Sequence, residues 1–382
     1  MEKQPLKFKN GQFKIMLIGD PHENYDTTKN NGKAKAEDCI TLLNKAAEEL
    51  KPDLAVFLGD NASAENEAQM RAVISRIMNP FSSRNIPVAL IFGNHDHDRT
   101  DLVNLQTQMK LFREHDNCYM FNADDSLTGY GNYNLTIKAS DSDKDIYNLW
   151  FIDSNNLCED RELSYYDWVH EDQIEWYKKT ANELAEKNNG KVLPAILFQH
   201  APVPEEYELL REAKFYEYYD SVEGHGKWSD KRYVLKDTVE GYMGEGPCSP
   251  CVNSGEFDAW KEVGDIRGAF FGHDHMNDFV GYVDGIMLAQ SKTAGFRPYT
   301  DGCRAGVRLI TLNENNLDDI DTRMYYFKKD FNLKSKSLSL YQRQITDRQD
   351  LKLKAAAKVL GTAAAVTVAS VITSKIVKKC KK

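Results

Sequence analysis

Short apolar runs rich in Ile, Val, Leu and Phe recur along the chain at residues 13–18, 54–58, 88–92, 193–198 and 268–271, and each stops at a polar cluster. Runs of this length and composition predict buried strands. Between the first two, Cys39, Leu42, Leu43, Ala46, Ala47 and Leu50 fall at helical spacing within residues 35–50. Residues 65–78 repeat that pattern between the second and third runs. The order strand, helix, strand, helix, strand predicts a βαβαβ unit of parallel strands with right-handed crossovers. In such a sheet ligands collect at the carboxyl ends of the strands, and the polar clusters fall there.

Further along, residues 133–137 and 147–152 predict two strands joined across the acidic turn 140–145, and residues 172–188 predict a helix closed by Asn189 and Gly190. The segment 201–258 is irregular: Pro202 and Pro204 open it, and Gly and Pro crowd residues 241–255. It reads as an insertion near the site. Alternating apolar residues with Gly and Asp turns over 281–312 predict a meander of strands, with one more strand over 318–327. The chain therefore divides into a main domain over 1–327, a Lys-rich polar linker over 328–354, and an Ala/Val-rich helix over 355–382. Residues 359–374 carry no charge and are bracketed by Lys358 and Lys375. A spanning helix needs roughly 20 apolar residues. The tail therefore reads either as a membrane anchor whose flanking lysines snorkel, or as a helix packed on a protein or membrane surface.

Composition narrows the function classes. The net charge of −9 argues against a surface that tracks a nucleic-acid backbone, since such binding is carried by Lys and Arg. Seven cysteines, odd in number and widely spaced, do not form a disulfide framework, and the first eleven residues hold no apolar stretch. A reduced, cytoplasmic setting is the expectation, with membrane association through the tail. Cys248-Ser249-Pro250-Cys251 lacks a second pair and a βαβ context, so it reads as two ordinary thiols in a turn.

The five strand ends spell Gly19-Asp20-Pro21-His22, Gly59-Asp60-Asn61, Gly93-Asn94-His95-Asp96, Gln199-His200-Ala201-Pro202 and Gly272-His273-Asp274-His275. A glycine before a ligand lets the chain turn sharply, so that the next side chain points across the strand ends. Carboxylate, imidazole and amide oxygen together suit divalent first-row metals such as Mn, Fe or Zn, and the absence of thiolates argues against a structural zinc site. Seven ligands, Asp20, His22, Asp60, Asn94, His200, His273 and His275, exceed what one ion needs. Asp60 is the natural bridge if Asp20, His22 and His275 complete one site and Asn94, His200 and His273 the other. Two ions roughly 3.5–4 Å apart are the usual device for in-line displacement at phosphorus. Any one fragment would arise by chance; five in order, each after a predicted strand, would not.

These motifs resemble those of the metallophosphoesterase superfamily, the calcineurin-like phosphoesterases, over residues 14–312. The segment Cys251-Val252-Asn253-Ser254-Gly255-Glu256-Phe257 is similar to that of the branch holding purple acid phosphatases and Dcr2-like phosphatases. The resemblance implies an α/β (α+β) fold of four layers, two mixed sheets flanked by helices. It also implies the ligand set above and phosphate-ester hydrolysis by a metal-bridging hydroxide. By the same resemblance His95 acts on the transferring phosphoryl group or the leaving oxygen, and Asp96 orients the His95 imidazole. Purple acid phosphatases hold ferric iron with a tyrosine; here His22 stands near that place and Tyr25 is three residues further on, so a divalent pair is expected. Asn253, His225 and one of Arg297, Arg304 and Arg308 are candidates to touch a phosphorylated substrate.

Overall fold

A computed structural model of the protein describes residues 3–300, 302–340, 342–343 and 360–361. The βαβαβ unit is there: strands Gln12–Ile18, Leu54–Leu58 and Val88–Ile91 pair in parallel, linked by helices α1 (Gly32–Leu50) and α2 (Glu67–Ser82). Helix α2 starts where the Asn66 side chain accepts the Gln69 N–H, satisfying one of the unpaired amides of a first turn. It runs past its predicted end and through Pro80. A proline there forfeits one ladder bond, while Val73, Ile74, Ile77 and Phe81 go on burying one face. Helix α3 (Leu105–Arg113), for which the sequence pattern gives no expectation, packs on α2.

Strands Gly306–Asn313 and Asn316–Tyr326 extend the parallel unit in antiparallel fashion, giving a five-stranded mixed sheet. A seven-stranded sheet lies against it, in the order Leu6–Lys7, Tyr133–Lys138, Asp145–Phe151, Ala195–Gln199, Ile266–Phe271, Ile286–Gln290, Val280–Val283. The stretch that reads as one meander is thus divided between the sheets. Val280–Val283 and Ile286–Gln290 form a hairpin in one, and Gly306–Asn313 joins the other after residues 291–305 cross over.

Side-chain alternation explains the layering. Tyr133, Phe151, Phe198 and Phe270 share a core with Ile15, Leu17, Val56 and Ala89 of the five-stranded sheet. The alternate residues Trp150, Leu197, Ala269 and Phe271 belong to a second core, with helices α4 (Glu171–Lys187) and α5 (Glu256–Val263). Phe57 meets Phe81 of α2 edge-on at 5.7 Å, which places α1 and α2 on the far side of the five-stranded sheet. The order is helices, sheet, sheet, helices. The Tyr133 hydroxyl donates to the Leu90 carbonyl at 2.8 Å and accepts the Leu90 N–H at 3.0 Å, pairing the backbone of the edge strand Val88–Ile91 across the two layers.

The insertion 201–258 holds its own small antiparallel sheet of Leu210–Glu212, Arg232–Leu235 and Val222–Glu223, beneath which Tyr207 stacks on Trp228 at 3.8 Å. Residues 328–340, read from sequence as the start of a linker, return to α1. There Asp38 accepts the N–H groups of Lys336 and Ser337 and the hydroxyls of Ser335 and Ser337. Among the described residues no helix is long and apolar enough to cross a membrane. The candidate tail anchor, residues 359–374, lies outside the described residues apart from Leu360 and Gly361, which are helical and exposed.

One buried acid makes a prediction. Glu206 is fully buried, with Oε2 accepting from Gln290 at 2.9 Å and Oε1 unpartnered. Burial pushes its carboxyl from the usual 4.5 up to about 8, with the Gln290 bond opposing. The folded chain therefore keeps a proton that the unfolded chain releases, so stability falls as pH rises from 4.5 to about 8. Glu206→Gln is expected to remove its share of that slope and leave the shares of the other raised acids, Glu256 and Asp96. Melting curves should show the variant more stable than wild type near pH 8 and equal to it near pH 4. The gap should be a few kcal/mol at most, since each tenfold difference in proton affinity between the folded and unfolded chain is worth about 1.4 kcal/mol.

Candidate metal centre

All five polar clusters stand at the same end of the two sheets. Asp20, His22, Asp60 and Asn94 follow strands of the five-stranded sheet; His200, His273 and His275 follow Ala195–Gln199 and Ile266–Phe271 of the other. The turns are made differently from the sequence expectation. Asp20, His22, Asp60 and His273 themselves adopt left-handed backbone, with φ of 47°, 44°, 52° and 71°, and of the preceding glycines only Gly59 does so. Such conformations are strained for residues other than glycine and persist where the surroundings enforce them. At Gly93 the requirement is space, since a Cβ there would collide with Asp60 Oδ1 and the His200 ring.

The ligand atoms form two groups with one member in common. Those of Asp20, His22, Asp60 and His275 lie within 4.8 Å of one another, and so do those of Asp60, His200 and His273. Asp60 Oδ2 is 3.3 Å from His22 Nε2 and 3.4 Å from His200 Nε2. His275 Nε2 is 3.1 Å from His22 Nε2 and 3.7 Å from Asp20 Oδ1, and Asn94 Oδ1 is 3.1 Å from His200 Nε2. The other faces of these groups are held by backbone. His200 Nδ1 donates to the Leu58 carbonyl at 2.7 Å and His275 Nδ1 to the Tyr299 carbonyl at 3.0 Å, which leaves each Nε2 lone pair aimed inward. Asp60 Oδ1 accepts the His95 N–H at 2.8 Å, and the Asp20 carboxylate accepts the His273 N–H.

The residues present fit a pair of cations. Asp60 Oδ2 and His273 Nε2 are buried without a hydrogen-bond partner, an expensive arrangement unless a ligand completes it. Burial takes His22 down to about 4 against the pull of Asp60, and takes His275 down to about 3; His273 is also held well below the usual histidine range by burial and His200. Neutral imidazoles are what a metal requires. Burial alone would raise Asp60, but His200 and His22 hold it well below the carboxylate range, so the shared ligand is anionic. On Asp20 burial outweighs the pull of His200, and that carboxyl is pushed well above the usual range. For His200 burial is overcome by Asp60, which raises the imidazole to about 10. A cation bound at His200 Nε2 would take the place of that proton beside Asp60.

The remaining candidates separate. His95 is half exposed at the mouth, its ring 5.1 Å from that of His22. Asp96 does not orient it. Asp96 is buried and accepts the N–H groups of Asn61, Ala62 and Gly93 at 2.9, 3.2 and 2.8 Å, and the Asn61 side-chain amide at 3.0 Å. The partner of His95 Nδ1 is Asp98, at 2.7 Å. The cause is the tight turn Asn94–His97, in which side chains three apart are superposed and adjacent ones diverge. Asn253 is engaged by Glu205 and by the Gly255 N–H at the start of α5, so it shapes that turn. His225 is one ring removed from the ligands: it lies 5.4 Å from Tyr166, which meets His273 edge-on at 4.3 Å, and its Nδ1 is buried without a partner.

Arg297 lines a cleft with His22, but its guanidinium donates to the carbonyls of Asn24, Asp26 and Gly32. Arg308 is buried and donates to the carbonyls of Gln290 and Asp278, and Arg304 covers the Tyr242 ring at 3.9 Å. Both brace the fold. Tyr25 packs at the edge of the main core. Cys248 and Cys251 are free thiols in an irregular loop rather than a tight turn, where the Cys248 N–H donates to Asp274 and the Cys251 sulfur accepts the Lys227 N–H. Two walls of the site carry no signal in the sequence: Tyr166, and Tyr299, which stacks on His275 at 4.2 Å while its hydroxyl donates to Glu245 at 2.7 Å.

Strand ends from two sheets thus converge on two ligand groups that share a carboxylate, the arrangement of a two-metal site. The chain belongs to the calcineurin-like phosphoesterase family, whose model matches residues 13–277. Among named relatives, it is 28% identical over 338 residues to probable inactive purple acid phosphatase 29 of Arabidopsis thaliana, an alignment covering 82% of this chain and 80% of that one. It is 25% identical over 287 residues to phosphatase DCR2 of Saccharomyces cerevisiae, covering 70% of this chain and 45% of the yeast protein. Among solved structures, a dimetal phosphatase from Danio rerio aligns over 82% of this chain and 99% of its own, with 11% identity and a TM-score of 0.42.

Proposed function

We propose that the protein hydrolyses phosphate monoesters at two divalent cations held by Asp20, His22, Asp60, Asn94, His200, His273 and His275. The observation that carries this reading is the pair of ligand groups joined at Asp60, with the buried Asp60 Oδ2 and His273 Nε2 left unpartnered. The chemistry a bound cation pair supplies is neutralisation of charge on the phosphoryl oxygens and acidification of water to near neutral pH. The chain's own residues do the rest. Asp60 divides its oxygens, Oδ1 fixing the His95 backbone and Oδ2 serving the centre. Asp98 fixes the His95 ring through Nδ1, leaving Nε2 as the atom that passes a proton to the leaving oxygen. Tyr166 meets His273 edge-on and Tyr299 lies on the face of His275, so that both imidazoles are braced from outside.

A monoester is favoured over a nucleic acid by the net charge of −9. The purified protein is expected to carry two divalent ions per chain by metal analysis. It should release p-nitrophenol from the monoester p-nitrophenyl phosphate in Mn²⁺ far faster than from the bis ester, and lose that activity in a chelator. Faster hydrolysis of the bis ester would overturn the monoester reading. The name of the plant relative raises a second reading, a fold kept without catalysis. The complete ligand set and the placed His95 speak against it, and absence of phosphate release from every substrate with two metals bound would establish it.

A further inference from the structure

Next to the metal centre a cleft of about 400 Å³ opens beside His22, the size of a small-molecule site. Lys29, Lys35 and Arg297 line it against one carboxylate, Asp26. That carboxylate is already engaged: Oδ1 accepts the Thr28 N–H at 2.8 Å and its hydroxyl at 2.6 Å, and Oδ2 lies 3.5 Å from the Lys29 ammonium. Behind Arg297 stands Glu23, 3.5 Å from its Nε, shared with Arg76 at 3.0 Å. Arg297 spends its remaining donors on the carbonyls of Asn24, Asp26 and Gly32, which pins the loop that carries Lys29. Lys35 is half-buried in the first turn of α1, a turn with no acidic residue. Among the described residues its ammonium has no carboxylate partner. With Lys29 beside Asp26 and Arg297 beside Glu23, Lys35 is the cation of this cleft whose charge is unmatched among the described residues.

We propose that the cleft is an anion subsite for a second phosphate of the substrate, held by Lys35 and Lys29 while the first phosphate meets the metal ligands. The inference rests on the phosphoesterase reading and narrows it: the substrate class is a small-molecule bisphosphate. Lys35 supplies an unspent charge, Lys29 can turn from Asp26 to a doubly charged group, and the loop is held in place by Arg297. The open cleft has room for a second phosphate and a short spacer.

Calorimetric titration of the full chain in Mn²⁺ with butane-1,4-bisphosphonate and with butylphosphonate tests the subsite without turnover. The bisphosphonate is expected to bind about tenfold more tightly, well beyond the roughly twofold statistical gain of having two equal ends. In Lys35→Glu, and less fully in Lys35→Gln, that ratio should fall toward the statistical value, with melting curves confirming that both variants fold. A ratio near two in the wild type, or one that persists in both variants, overturns the subsite. Hydrolysis of p-nitrophenyl phosphate in the same sample reports on the phosphoesterase reading separately. Hydrolysis intact with a ratio near two overturns the subsite alone, whereas a tenfold ratio without hydrolysis of any phosphate ester overturns the phosphoesterase reading and, with it, the bisphosphate as substrate.

Discussion

Asp60→Asn is expected to lower phosphate release by about a thousandfold or more, and to reduce bound metal below two ions per chain. The substitution keeps the volume and removes what the position supplies. Asp60 Oδ2 is the atom nearest to both halves of the site, 3.3 Å from His22 Nε2 and 3.4 Å from His200 Nε2, and Oδ1 accepts the His95 N–H. An asparagine has one oxygen for these two tasks. If it keeps the bond to His95, an NH₂ group faces the ligands and repels a cation; if it turns round, that NH₂ meets the His95 N–H, donor against donor. Neither orientation restores the negative charge that offsets two dications. Metal analysis by mass spectrometry together with p-nitrophenyl phosphate hydrolysis in Mn²⁺ checks both halves of the expectation. Near wild-type turnover with metal present would remove Asp60 from the centre.

The candidate ligands stand out in the sequence because each is tied to a strong local signal, an apolar strand that stops at a polar residue. The parallel unit from Gln12 to Ile91 is legible for the same reason, since helical and strand periodicities alternate there without ambiguity. Legibility ends where the decisive contact is not local. The crossover 291–305 sends Gly306–Asn313 to a different sheet from Ile286–Gln290, and nothing in the alternation of either strand records which sheet will accept it. Tyr166 and Tyr299 sit in loops of ordinary composition and acquire meaning only by lying on His273 and His275. The glycines suggest by their position that they make the turn, whereas at Gly93 the lack of a side chain makes room for Asp60 and His200 and the ligands bear the strain elsewhere.

The orienting residue of His95 is a different kind of miss, because its signal is present. In Asn94-His95-Asp96-His97-Asp98 two acids are available, and the choice depends on whether the turn places residue i+1 or i+3 beside His95. The two acids should therefore respond oppositely when removed. Asp96→Ala takes the acceptor from three backbone N–H groups and the Asn61 amide at once. With buried donors costing about 1–3 kcal/mol each when unsatisfied, the loss is expected to lower the melting temperature by roughly 5–10 °C. Activity should fall only as far as the turns carrying Asp60 and Asn94 loosen, and metal binding should weaken with it. Asp98→Ala removes one half-exposed partner, so the melting temperature should hardly move, whereas kcat should drop by about ten- to a hundredfold as the His95 ring loses its fixed orientation. Asp98→Asn, which still offers an oxygen to Nδ1, should recover part of that loss. Melting curves and kcat for the three variants decide the matter: a stable Asp96→Ala with a collapsed kcat would return the orienting role to Asp96.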